Sequence, residues 1–338
     1  MLQAIMTAPG KIEFNEVKEP TVGKNQVKIN IKSIGVCGSD VHVNHGQHPY
    51  TNYPVVQGHE VAGEIVELGS DVKGFSVGDK VTVQPQVVCG KCYPCRTGEY
   101  NNCEELKVMG FQTTGMASEY FVVDSEKVLV LPKSMSLEKG ALIEPLAVAV
   151  HAVQRVESVK EKNVLVLGGG PIGNLVAQTA KALGAKKVVI SELSKKRLQF
   201  ADQCGINVIN PNEESLTEGI VKQFGEDKAD YIFECVGIEP TINQALDVAR
   251  KGSSIIVVGV FGDKPSVNMG YVQDHELSLL GSAMYVEKDF LKAIELIDKE
   301  LIELDTLITH RFDFKDYMEA YNIIDNDKDN TMKVMIEL

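Results

Sequence analysis

The sequence predicts an α/β protein: a doubly wound parallel sheet joined to a second, mainly β, barrel-like domain. Three observations predict it. From about residue 163 the chain alternates strand-like and helix-like segments at intervals of roughly 25 to 30 residues, the rhythm of βαβ units and hence of a parallel sheet. Before about residue 133 it carries short β-branched runs, such as Val27 to Ile31 and Glu60 to Val66, separated by turns that bear Gly, Pro and Asn. The length of 338 residues exceeds what one ordinary core organises and suits two packed domains.

Strands of the parallel sheet are expected at Asn163 to Leu167, Lys187 to Ser191, Asp230 to Cys235, Ser254 to Gly259 and Leu277 to Gly281, with a short one near Val208-Ile209. Lys288 to Lys299 reads as an amphipathic helix, with Phe290, Leu291, Ile294 and Ile297 at helical spacing. The tail Lys333 to Leu338 returns to β character and is expected to rejoin the first domain. The expected division is therefore 1–147 with 287–338 as one domain and 148–286 as the other.

A hydrophobic share of 44% and a charged share of 24%, with no Pro, Gly or Ser tract, describe a globular chain throughout. The net charge of −13, with basic residues scattered among acidic ones, argues against a nucleic acid or an anionic membrane as partner and leaves a small molecule as the default. The start, Met1 to Met6, lacks the basic and long apolar regions of a signal peptide, and no apolar run reaches about 18 residues, so a cytoplasmic location is expected. In a reducing cytosol an odd count of 7 cysteines, four of them crowded into one loop, points to metal rather than disulfides.

The run Val164-Leu165-Val166-Leu167 is followed at once by Gly168-Gly169-Gly170-Pro171-Ile172-Gly173, a G-x-G-x-x-G turn between a buried strand and a helix. Gly168 permits the tight turn, Gly170 lets backbone approach a pyrophosphate, Gly173 allows close helix packing, and Pro171 suits the first helical turn. The helix start with Ile172 supplies amides and a positive dipole end. Glu192, about 20 residues on, is placed to accept the adenosine-ribose hydroxyls and to repel a 2′-phosphate, which favours NAD over NADP. Lys195, Lys196 and Arg197 stand against that preference as a possible 2′-phosphate site, or as solvated charges at a helix start.

Cys89, Cys92, Cys95 and Cys103 form C-x2-C-x2-C-x7-C, a set that can close a structural tetrahedral zinc site and order a lobe of residues 86–105. A second set is dispersed: Cys37, His59, Glu60 and Glu144. Taken singly, each has an ordinary reading: a small buried hydrophobe, a core histidine, a strand-edge charge, a helix-start carboxylate. Glu144 is the least easily dismissed, because it interrupts the apolar stretch Ala141 to Val150 and a buried carboxylate needs a partner.

In the order Gly35-Val36-Cys37-Gly38-Ser39-Asp40-Val41-His42, Gly58-His59-Glu60, the four-cysteine lobe, Glu144-Pro145-Leu146 and Gly168 to Gly173, essentially the whole chain resembles the zinc-containing medium-chain dehydrogenase/reductase family, and within it the sorbitol (polyol) dehydrogenase branch. The resemblance implies a GroES-like catalytic domain beside a Rossmann-type dinucleotide domain. It also implies two zinc ions, the catalytic one held by Cys37 and His59, with Glu60 and Glu144 binding directly, through water or in exchange. A carboxylate at Glu144, where many alcohol dehydrogenases of the family carry cysteine, supports the polyol side. Val43 departs from the branch, whose members commonly have an aromatic residue there. Ser39 and His42 match the family's proton-relay residues, and Asp40 fits as an acceptor orienting His59.

The activity implied is hydride transfer between a secondary alcohol of a polyol or sugar acid and NAD, within carbohydrate metabolism. A threonine or vicinal-diol dehydrogenase stands as alternative, and a non-catalytic NAD- and zinc-binding protein as the alternative of another class. His45, His48 and Tyr50 lie in a polar loop that faces either substrate or solvent, whereas Cys204, Cys235, His151, His275 and His310 have no role readable from sequence. A homotetramer, or else a homodimer, is implied; the apolar run Leu277 to Tyr285, as the last strand of an open sheet, would pair through a two-fold axis.

Overall fold

The structure, a computed structural model, describes residues 1–338. It contains two compact units, Met1–Glu144 with Val286–Ile294 and Ile308–Leu338, and Pro145–Tyr285 with Glu295–Leu307.

The first unit is organised around the strand Gln26–Val36. Val27, Ile29 and Ile31 alternate into the core, as the two-residue period of a strand requires, and from Ser33 onward every residue is buried. Glu60–Leu68 pairs antiparallel along one edge; Tyr120–Asp124 and Lys333–Glu337 pair antiparallel along the other. Lys80–Val83 and Val128–Val130 continue the sheet on one side, and Ile308–Asp313 on the other. Ile308–Asp313 runs parallel to Lys333–Glu337, an arrangement that needs a crossover. The helix Tyr317–Asn326 supplies it and presents Tyr317, Ala320 and Tyr321, at i, i+3 and i+4, to the core. The chain's last strand and this helix thereby reach the neighbourhood of Val36.

In the second unit six parallel strands run in the spatial order Asn207–Ile209, Lys187–Ser191, Asn163–Leu167, Tyr231–Glu234, Ser254–Val257, Ser278–Gly281. All six begin and end within two residues of their sequence-derived positions. Asn163–Leu167 is central and wholly buried, which is why it reads as an unbroken apolar run. The strand order reverses beside it, and the C-terminal ends of the strands at such a reversal are where open α/β sheets take ligands.

Two expectations need adjustment. The apolar run Leu277 to Tyr285 is a strand only over Ser278–Gly281; beyond it the chain bends at Met284, which takes φ +50°. In the helix Glu287–Asp298 the buried stripe is Phe290, Ala293, Leu296 and Ile297, while Leu291, one residue round from Phe290, is exposed.

Candidate active site

Gln26–Val36 ends in the core and delivers Cys37, which precedes the helix Gly38–Asn44; the Cys37 N–H donates to Asp40 Oδ2 at 3.0 Å and closes the turn. Glu60 opens the neighbouring strand opposite Gly35. Cys37, His59 and Glu60 therefore converge, with their ligand atoms all within 4.8 Å of one another. Gly35 is needed there, since a Cβ at that position would stand 2.1 Å from Glu60 Oε2.

The surroundings are dry and acidic: Asp40, Glu60 and Glu144 are 0, 1 and 5% exposed. Among them lies Lys333, buried on the last strand, whose ammonium donates to Glu60 and to the Val36 carbonyl at 3.1 Å. Burial disfavours its charge, but Glu60, then Cys37 and Glu144, outweigh burial and hold its pKa above the usual lysine value. Burial likewise disfavours a charged His59, and the Asp40 carboxylate with the Cys37 thiol overrides it, so the imidazole's proton affinity is well above normal. A thiol, an imidazole and buried carboxylates that together attract positive charge are the donor set zinc takes, and they fit it.

Asp40 Oδ1 stands 3.4 Å from His59 Nδ1. Ser39 is half-buried and His42 exposed on the same short helix. Glu144 lies in the first turn of the helix Ile143–Val153 and acts on Lys333, but it is outside the three-residue cluster. Phe111 packs against the His59 ring at 4.9 Å between centroids and stacks on His48 at 4.7 Å. His48 is held by Thr51, 2.7 Å from its Nδ1, and burial lowers its pKa against the opposing pull of the Asp40 carboxylate, with a smaller lowering contribution from His42 and His59. His45 is tied to Asp325 at 2.8 Å, and Tyr50 is exposed.

Cys89, Cys92, Cys95 and Cys103 are free thiols whose sulfurs all lie within 4.8 Å, Cys89 and Cys95 being 4.0 Å apart. Tetrahedral zinc with bonds of about 2.3 Å holds sulfurs about 3.8 Å apart, so the spacing fits a closed zinc site. Backbone amides stabilise the sulfurs: Cys89 N–H donates to Cys103 Sγ at 3.3 Å and Cys92 N–H to Cys89 Sγ at 3.4 Å. Amides at Glu104 and Cys95 bring the Cys92 thiol down to about 6, whereas desolvation and the neighbouring thiols push Cys95 up to about 12. The lobe is anchored by pairing of Gln86–Val87 with Lys107–Val108.

In the second unit Gly168 has φ +97°, Gly170 caps the helix Pro171–Ala182, and a Cβ on Gly173 would meet Gly168 O at 1.9 Å. The turn thus presents backbone where a side chain would block a pyrophosphate. Glu192 follows the strand Lys187–Ser191, accepts from Gly169 N–H at 2.8 Å and from Leu193 and Ser194 N–H at 2.7 and 2.9 Å, and faces Arg197 at 3.9 Å. Lys195 pairs instead with Glu213 at 2.9 Å, and Lys196 lies over the Phe200 ring. Leu193, Val236, Ile238 and Val260 are exposed at the C-terminal ends of the strands, an apolar rim suited to the flat rings of a dinucleotide.

Residues 23–133 match the alcohol dehydrogenase GroES-like domain, and residues 171–299 the zinc-binding dehydrogenase domain. The chain is 37% identical over 321 residues to a sorbitol dehydrogenase of Halalkalibacterium halodurans, covering 93% of each. The chain belongs to the zinc-containing medium-chain dehydrogenase family. It is also 34% identical to a 2-dehydro-3-deoxy-L-galactonate 5-dehydrogenase of Pseudoalteromonas atlantica, covering 97% of this chain and 96% of that one. Among solved structures, an Escherichia coli CFT073 alcohol dehydrogenase complexed with NADH superposes with a TM-score of 0.93 at 30% identity, over 100% of this chain and 99% of that one. The dehydrogenase is thus polyol-dehydrogenase-like, with a Rossmann-type dinucleotide unit and a GroES-like unit.

Sequence motifs in this dehydrogenase find Cys37, His59 and Glu60, and the structure brings them together. They do not find Lys333, Gln57, Tyr321 or Phe111. Lys333 opens a short apolar strand of the tail, where its only sequence signal is a charge standing before Val334-Met335-Ile336.

Proposed function

We propose that this dehydrogenase oxidises a secondary alcohol of a polyol or sugar acid with NAD. The observation that carries the reading is the convergence of half-buried Cys37 with buried His59 and Glu60 beside Lys333, a lysine that Glu144, a carboxylate rather than a thiol, also influences. The relatives named for sorbitol and for a deoxy-galactonate support this substrate class.

Cys37 and His59 hold a catalytic zinc, and Glu60 and Glu144 are the carboxylates available to it directly, through water or in exchange; the four-cysteine lobe holds a second, structural zinc. When bound, zinc supplies Lewis-acid polarisation of the substrate hydroxyl and the dinucleotide supplies the hydride acceptor. Asp40 holds the orientation of His59. Lys333 holds Glu60 in place. Ser39 and His42 carry the released proton outward, consistent with one half-buried and one exposed group on one helix. Gly168, Gly170, Pro171, Ile172 and Gly173 cradle the pyrophosphate, and Glu192 takes the ribose hydroxyls. The NAD preference is supported by the engagement of Lys195 and Lys196 elsewhere, which leaves Arg197 alone facing Glu192.

In this reading 1–147 with 287–338 is the catalytic domain and 148–286 binds the dinucleotide, although Glu295–Leu307 packs in the second compact unit, and the enzyme is a cytoplasmic homotetramer or homodimer. No helix is long and apolar enough to cross a membrane. The substrate class is tested by following NAD reduction on zinc-replete protein across polyols, sugar acids, vicinal diols and threonine. Highest efficiency on a polyol or sugar acid is expected; highest efficiency on threonine would move the assignment.

A further inference from the structure

Gln57 immediately precedes Gly58-His59 and is 3% exposed. A buried primary amide brings two donors and an acceptor that must be satisfied. Its Nε2 donates to Asp40 Oδ1 at 3.1 Å and lies 3.4 Å from the Asp40 carbonyl oxygen; its Oε1 accepts from Tyr321 O–H at 2.8 Å. Tyr321 is 0% exposed, and it comes from the crossover helix, 264 residues away in sequence. The chemistry fixes the amide's sense, because a carboxylate only accepts and a hydroxyl can donate, so nitrogen must face Asp40 and oxygen must face Tyr321.

Asp40 is thereby held at both oxygens. Oδ2 takes the Cys37 N–H at 3.0 Å, and Oδ1 takes Gln57 while facing His59 Nδ1 at 3.4 Å. Leucine and phenylalanine would fill the same space without burying an amide and a hydroxyl, so packing alone gives no reason for these groups.

We propose that Gln57 and Tyr321 are positioning residues for the metal site: Tyr321 sets the sense of the Gln57 amide, Gln57 sets the Asp40 carboxylate, and Asp40 sets His59. The proposal rests on the zinc reading of Cys37, His59 and Glu60 and extends it outward to residues that touch neither metal nor substrate. Removing the tyrosine hydroxyl would leave Gln57 Oε1 buried without a donor and free the amide to turn its oxygen toward Asp40, where two acceptors repel.

The test is zinc release from the loaded, full-length enzyme to a chromogenic chelator, comparing wild type with Gln57→Leu, Tyr321→Phe and the double variant. Tyr321→Phe deletes one oxygen atom and serves if Gln57→Leu does not fold. Each single variant is expected to release the Cys37–His59 zinc about tenfold faster, the lower bound for loss of outer hydrogen-bond partners of metal ligands. Release from the four-cysteine lobe should be unchanged, and the double variant no faster than Gln57→Leu, because Tyr321 acts only through Gln57. Wild-type release rates in the single variants, equal acceleration at both zincs, or additive effects would each overturn the proposal. A wild-type enzyme with zinc in the lobe alone would instead overturn the zinc reading beneath it, and that result is separately visible in the metal content.

Discussion

Lys333 and Glu60 form an ion pair in the interior of the first unit, joining the last strand of the chain to the residue that follows His59. A buried pair of this kind contributes little over two apolar residues, but losing one member leaves the other charge stranded. Lys333→Met should therefore destabilise zinc-free protein by about 3–5 kcal/mol, and zinc-loaded protein by less because the metal's charge offsets the loss, while Lys333→Arg stays closer to wild type. Urea midpoints with and without zinc check this. The pH dependence has a definite sign: a raised folded pKa means the pair's contribution is complete below the unfolded lysine value of 10.5 and is lost as pH rises above that through the folded value.

The two thiol-containing clusters should fail differently. If the four thiols hold a zinc as proposed, Cys92→Ser should lower the thermal midpoint and cost one zinc, because half of the residues in 86–105 are exposed and offer little packing of their own. Elemental analysis of wild type should give about two zinc ions per chain. One zinc in a fully active preparation would remove the two-site assignment.

Glu192 accepts from three backbone amides of the glycine turn and the loop after it, and in the proposed NAD reading it also repels a 2′-phosphate. Glu192→Ala should raise the KM for NAD and shift the NADP-to-NAD efficiency ratio upward by roughly tenfold or more, the scale of one charged hydrogen bond. If unmodified enzyme already works better with NADP, Arg197 outweighs Glu192.

Ser278–Gly281 is the outermost strand of the parallel sheet, with Leu279 and Leu280 only half-buried. Arg155 Nε donates to the Gly281 carbonyl at 2.9 Å. Pairing of this edge with its copy would cover the rest. Leu280→Lys should then lower the oligomeric mass measured by light scattering at low protein concentration. A stable, active wild-type monomer would defeat the assignment.

The parallel sheet was legible because its four inner strands are largely buried apolar runs bounded by turns, and local sequence encodes that directly, while the short, partly exposed edge strands follow from the βαβ rhythm. The cysteine lobe and the glycine turn were legible because their residues are close in sequence. The convergence of Cys37, His59 and Glu60 was legible only through resemblance: Cys37 and His59 meet because two strands pair in register, and no local pattern states a register. Lys333 and Tyr321 were invisible for the same reason, since each acquires its role from a strand and a crossover helix that return to the first sheet after nearly the whole chain has intervened. Leu291 misled because an apolar residue one step round from Phe290 resembles a core position until the helix's packed face is known.

Dependence of hydride transfer on a metal held by Cys37 and His59 is checked by measuring turnover and zinc content together in wild type and His59→Ala. The predicted result is a folded variant that keeps its lobe zinc, loses the other, and reduces NAD about a thousandfold more slowly or worse on the best polyol or sugar acid. Turnover at the wild-type rate in His59→Ala would show that hydride transfer needs no metal at His59.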